Sequence, residues 1–159
     1  MIDGTDRTIL MMLQENARVS NAEIARQVEM APSAILERIR KLEDRGVIKN
    51  YAAHLDPRAL GQGLLAYVLV RTDSGAWQAD PAAKIAAIPE VQEVHHIAGE
   101  DCFLVKVRTR DTAALGSLLR DRVSAIEAVR STRTTIVLDT VKETTEIDLR
   151  EAAGAEGVP

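Results

Sequence analysis

The chain is poor in several residue classes. It has one cysteine, Cys102, in 159 residues, which excludes an intrachain disulfide and any site built from several thiolates. Aromatic residues make up only 3%, so the core has to be assembled from Leu, Ile, Val and Ala. No apolar run approaches the ~20 residues needed to cross a bilayer. The opening residues, Met1-Ile2-Asp3-Gly4-Thr5-Asp6-Arg7, lack the basic-then-apolar order of a secretory leader. These absences lead to the expectation of a soluble cytoplasmic protein with no membrane partner. An apolar fraction of 46% suits a globular chain, and the length suits one ordinary domain or two small ones.

Positive charge is in deficit, with a net charge of −4. Its distribution says more than its sum. Residues 1–50 carry eight Lys/Arg and eight Asp/Glu, so the whole excess of acid lies in residues 51–159. Within the neutral part, residues 31–50 gather Arg38, Arg40, Lys41, Arg45 and Lys49 against Glu37, Glu43 and Asp44. A solvated helix face explains such a cluster as readily as a nucleic-acid contact does.

Periodicity divides the first fifty residues into three helices. Residues 3–16 place Ile9, Leu10, Leu13 and Ala17 at three- and four-residue steps, with Asp3 or Thr5 as cap. Residues 21–28 follow Ser20, with Glu23 at the capping-box spacing and Ile24, Ala25 and Val28 inward. Residues 32–45 open on Pro32, which suits a first helical turn. They bury Ile35, Ile39 and Leu42 and stop at Gly46. Only Glu29, Met30 and Ala31 separate the second and third helices. So short a joint makes them cross steeply, as in a helix-turn-helix.

With that stripe inward, Ser33, Ala34, Glu37, Arg38 and Lys41 are expected to face out, while Arg40 lies nearer the buried side. Small residues at the helix start allow close approach to base edges or phosphate. Arg38 and Lys41 add cationic reach, and Arg suits guanine or a phosphate clamp. A bundle that binds only protein fits the same spacing. Residues 47–55 alternate apolar and polar, which suggests a strand or wing before Asp56-Pro57.

The remainder predicts strands at 64–71, 91–97, 102–109 and 129–141, with helices at 81–88 and 112–123. The order β-α-β-β-α-β is the ferredoxin-like arrangement. One sheet face is left for another cover, and a second subunit suits it. The expected fold class is α+β: a winged helix-turn-helix at 1–50, a strand and linker at 51–63, a ferredoxin-like effector-binding and oligomerisation domain at 64–142, and a tail at 143–159 whose end lacks bulky residues and is expected to be disordered.

Taken in order, several segments resemble the Lrp/AsnC, or feast/famine, family of transcriptional regulators, from about Ile2 to Leu149. They are Asp6-Arg7-Thr8-Ile9-Leu10, Ala17-Arg18-Val19-Ser20-Asn21, and Ile39-Arg40-Lys41-Leu42-Glu43-Asp44-Arg45-Gly46-Val47-Ile48 with Tyr51. Leu60-Gly61, Pro89-Glu90-Val91, Gly99 and Val129-Arg130-Ser131-Thr132-Arg133-Thr134 complete the set. The resemblance implies double-stranded DNA as partner, read by Ser33, Ala34, Glu37, Arg38 and Lys41. It implies dimers through the sheets, and tetramers or octamers built from them. It implies an amino acid or related metabolite as effector, held by Ala98, Gly99, Glu100, Asp101 and Cys102 with Thr134 and Thr135. In that loop the family usually carries Gly, an acid, an aromatic and Asp before another aromatic. Here Asp101 replaces the first aromatic and Cys102 replaces the Asp ahead of Phe103.

Sharper chemistry finds little support. His95 and His96 are neighbours on a strand and point to opposite faces, so no metal site is expected from them with Asp101 and Cys102. A redox role for Cys102 needs exposure and a lowered pKa. Glu100 and Asp101 have no nucleophile, base or cofactor motif beside them. The expectation is a DNA-binding regulator with no cofactor and no catalytic residues. The alternatives are an effector-independent architectural DNA-binding protein, and an enzyme with an appended helical domain.

Overall fold

Asp3 starts the first helix, α1 (Gly4–Glu15), in the computed structural model of the chain, which describes residues 2–73, 80–99 and 102–150. Its carboxylate accepts the Asp6 N–H at 2.7 Å, and the Asp3 N–H donates back to Asp6 at 3.3 Å. Two orphan donors of the helix end are satisfied by this capping box. Ser20 caps α2 (Asn21–Gln27) by accepting the Glu23 N–H at 3.1 Å. Pro32 opens α3 (Pro32–Asp44). In the joint between α2 and α3, Glu29 takes a left-handed φ of 54°, a conformation that non-glycine residues adopt at some cost and that turns the chain sharply.

Gly46, with φ 67°, closes α3. The Gly46 N–H donates to Glu43 O at 2.8 Å and the Val47 N–H to Leu42 O at 2.9 Å, the paired bonds of a Schellman end. Ile9, Ile24, Ala25, Ile35 and Ile39 form the core of this unit, joined at its edge by Leu13, Val28 and Ile48. Ala17, expected inward, is exposed because α1 has already ended. Residues 47–55 form no strand. Val47 and Ile48 both donate back to Leu42, and no strand of this chain pairs with the segment among the described residues.

The second unit is a four-stranded antiparallel sheet in the order β2-β3-β1-β4. Its strands are β1 (Leu64–Thr72), β2 (Val91–His96), β3 (Phe103–Thr109) and β4 (Val129–Ile136). The helices α4 (Pro81–Ala86) and α5 (Thr112–Leu118) connect them, and α5 runs on into a π-helical turn at Leu119–Val123. Strand alternation sends Ala66, Val68, Val70, Phe103, Val105 and Val107 inward, against Ile85, Ile88, Leu115, Leu118, Val123 and Ile126. β4 stops at Ile136, short of the expected 141. Its last bond is from the Val137 N–H to Leu65 O, at the start of β1, where the ladder ends.

Two compact units result, Leu55–Lys142 and the residues up to His54. Of the described residues, 143–150 belong with the helical unit. Ile147 donates its N–H to Gln14 at 2.8 Å and accepts from the Gln14 amide at 3.0 Å. The expected disorder of the final residues concerns 151–159, outside the described residues.

Candidate functional site

The α3 helix buries Ile35, Ile39 and Leu42, and the helical turn then decides which side chains can meet a partner. Ser33, Leu36, Glu37, Arg40 and Lys41 are exposed, whereas Ala34 and Arg38 are half-buried. The order expected for two arginines is therefore reversed. Arg38 lies against α1, with its Nη1 donating to Asp3 at 2.8 Å and to Asp6 at 2.7 Å. These carboxylates raise the Arg38 pKa, Asp3 first and Asp6 second. The Asp3 carboxyl is held below its usual value by the Asp6 backbone N–H and then by Arg38. Lys41 pairs with Glu37 at 2.7 Å, one turn apart, and this hydrogen bond lowers the Glu37 pKa.

Asp6, Ala34, Glu37, Arg38, Lys41, Leu42 and Arg45 line a hollow of about 290 Å³ on this flank. Tyr51 donates to Glu43 at 2.9 Å. Burial, then the Glu43 carboxylate, pushes its hydroxyl up to about 12.

The expected effector loop lies between β2 and β3. The Ile97 N–H donates to Cys102 O at 3.0 Å, and the Cys102 N–H to Val70 O at 2.9 Å. The loop is thus closed at its base and fastened to β1. Gly99 has φ 131°, which favours glycine. Cys102 is half-buried and free. Glu100 and Asp101 lie outside the described residues.

Thr134 and Thr135 separate. Thr134 pairs with Val68 and shares the helix-covered face, while Thr135 pairs with Tyr67 and shares the open face. The β4 residue opposite Val70, level with the Cys102 end of β1, is Thr132. The sequence expectation passed over it because it had no strand register to align.

His95 and His96 also part as strand alternation requires. His95 contacts Glu93 at 3.1 Å, whereas the His96 ring lies 5.3 Å from that of Phe103. Among the described residues, no three His, Cys, Asp or Glu gather as for a metal ion. No described helix is long and apolar enough to cross a membrane.

A helix-turn-helix with an exposed cationic helix face, joined in one chain to a βαββαβ unit, defines a two-domain class of ligand-binding transcription factors. Family models narrow the class: winged helix-turn-helix DNA-binding matches residues 2–49, and the Lrp/AsnC ligand binding domain matches 65–147. The chain belongs to the Lrp/AsnC family. It is 39% identical over 149 residues to the HTH-type transcriptional regulator FL11 of Pyrococcus horikoshii, covering 94% of this chain and 97% of that one. The leucine-responsive regulatory protein of Escherichia coli is 34% identical over 151 residues, covering 94% and 92%. A transcriptional regulator of Neisseria meningitidis, solved as an L-methionine complex, superposes with a TM-score of 0.88 at 33% identity, covering 94% and 97%. The chain is a transcriptional regulator with a DNA-binding helix-turn-helix and a small-molecule-binding domain, not an enzyme.

Proposed function

We propose that α3 enters the major groove of an operator, and that a small metabolite at the 98–102 loop alters the regulator's assembly or DNA affinity. The carrying observation is the exposed face of α3, where Ser33, Glu37 and Lys41 stand clear of the core, with Ala34 and Arg38 on the adjoining flank. Small residues at the N-terminal end permit close approach, and the exposed cations further along the helix suit phosphate and base edges. Two such helices in a dimer would read half-sites ~34 Å apart or a multiple of that.

For the effector, the Neisseria relative was solved with L-methionine. An L-amino acid is accordingly the first class to try, with Ala98, Gly99, Glu100, Asp101 and Cys102 as its loop and a β4 threonine, Thr134 or Thr135, nearby. Assembly through the open sheet face is supported by the half-buried Tyr67, Leu69 and Leu104, which alternation places there. The protein needs no cofactor for this and works in the cytoplasm, with the chromosome.

Thermal-shift measurements against the twenty amino acids and common 2-oxo acids test the effector half. A ligand that binds only the folded state stabilises it by about 2.7 kcal/mol at a hundredfold excess over Kd. A concentration-dependent shift with one compound names the effector. No shift with any of them, in protein that still binds DNA, favours the architectural reading, to which the replacement at Cys102 lends support.

A further inference from the structure

The cations of α3 are not equally available. Arg38 is engaged by two carboxylates, and one of them, Asp6, has a side chain only 10% exposed. To reach a base, Arg38 would have to leave both and strand Asp6 half-solvated beside the core, a loss that one guanine contact has to exceed before it adds any affinity. Lys41 is held by Glu37. Arg40 is exposed and carries no hydrogen bond or ion pair among the described residues, so it gives up only water when it binds.

Leu36 is one turn before Arg40, on the same row of the helix surface. It is 39% exposed and lies outside the core of its unit. An apolar side chain held out of the core on this face is placed to meet a thymine methyl, and a free guanidinium beside it is placed to take guanine O6 and N7.

We propose that Leu36 and Arg40 are the specificity-determining pair of α3, and that Arg38 reads no base but holds α3 against α1. The proposal rests on α3 being the DNA-contacting helix. Four residues of helix advance ~6 Å against ~3.4 Å per base step. The thymine and the guanine read by this pair are therefore expected about two base pairs apart.

The test is selection of binding sites by the full-length protein from a pool of randomised duplexes. Wild type, Leu36→Ala, Arg40→Ala, Arg40→Lys and Arg38→Lys are compared. Arg40→Ala is expected to lose preference for one base pair roughly five- to hundredfold. Arg40→Lys should keep the salt dependence but weaken the same preference, because lysine lacks the planar fork. Leu36→Ala should relax a neighbouring position by a few-fold, and Arg38→Lys should keep the wild-type consensus.

If the Leu36 and Arg40 variants select the wild-type consensus, or if Arg38→Lys alone changes it, the assignment is overturned while the DNA-binding reading stands. If wild type selects no consensus at all, the sequence-specific reading fails and takes the pair with it. Both test side chains are exposed, and unchanged circular dichroism and melting of the variants confine any altered consensus to the contact itself.

Discussion

Arg38, midway along α3, donates to Asp6, in the first turn of α1, at 2.7 Å, and the same nitrogen reaches Asp3 at 2.8 Å. Asp6 is buried, at 7% exposure, and its carboxylate also closes the α1 capping box. One acidic residue thus helps to cap the first helix and holds the third. Removing it leaves a half-buried guanidinium with only the exposed Asp3. Asp6→Ala is expected to destabilise the helix-turn-helix unit by about 1–3 kcal/mol, read as a lower urea midpoint at unchanged m-value. A loss below about 0.5 kcal/mol, within the range of ordinary surface substitutions, would mean that the apolar core alone orients α3.

On the open sheet face, Glu93 faces the His95 ring at 3.1 Å and the Lys106 ammonium at 3.0 Å. Its pKa lies below the ordinary 4.5, first through His95 and then through Lys106. A carboxylate with a depressed folded-state pKa adds stability that is complete above its unfolded value. That stability is lost as pH falls through the folded value. The stability gap between wild type and Glu93→Gln should therefore shrink as pH drops below 4.5. Denaturant titrations across that range decide it. A gap that stays constant down to about pH 3, below the ordinary carboxyl range, would show that the shift plays no part in stability.

Much of this was legible in the sequence, because a strong local signal is also a tertiary one. The Ile35, Ile39 and Leu42 stripe, Pro32 and Gly46 define α3 with nearly the expected bounds, since core packing and end chemistry agree there. What failed to show depends on contacts distant in sequence. The Arg38–Asp6 pair spans 32 residues, so a reading of α3 alone does not contain it; Arg40, expected nearer the buried side, lies well round the helix from the Ile35, Ile39 and Leu42 stripe and is exposed. The alternation of 47–55 has no ladder beside it among the described residues. At the effector site, Thr134 and Thr135 looked equivalent until the register with Val68 and Tyr67 set them on opposite faces.

The Gly99 backbone, at φ 131°, makes a second demand on the effector loop. Beyond its chain neighbours, no heavy atom of the described residues lies within 4 Å of where a Cβ would stand, so the cost of alanine there is an unfavourable backbone. Gly99→Ala is expected to cost about 1 kcal/mol or more and to weaken any ligand-induced thermal shift by reshaping the loop. Full retention of both stability and ligand response would show that the loop takes another conformation at no cost.

The Cys102 thiol donates to Thr72 O at 3.9 Å, a weak bond, while its backbone is fastened to Val70. A substitution there can change chemistry without loosening the loop. Cys102→Asp places a carboxylate where the family usually has one, and should strengthen the thermal response to an L-amino acid. An unaltered response, with folding intact, would assign ammonium recognition to other groups.

Gln14 ties the returning chain to α1 by two backbone bonds at Ile147, accepting its N–H and donating to its carbonyl. Alanine cannot make either bond. Exposed hydrogen bonds stabilise weakly, each by about 1 kcal/mol at most, so Gln14→Ala should leave the global urea midpoint nearly unchanged. The local effect should be larger, because the Ile147 amide loses its acceptor and the segment loses its anchor on the helix. Faster hydrogen exchange at Ile147 and earlier protease cleavage after Lys142 are the expected signs, with exchange in α2 unaffected. Should exchange at Ile147 match wild type, the Gln14 clamp is not what holds the segment. Gln14→Glu separates the two bonds: it keeps an acceptor for the Ile147 N–H but loses the donor, so protection at that amide should be largely restored.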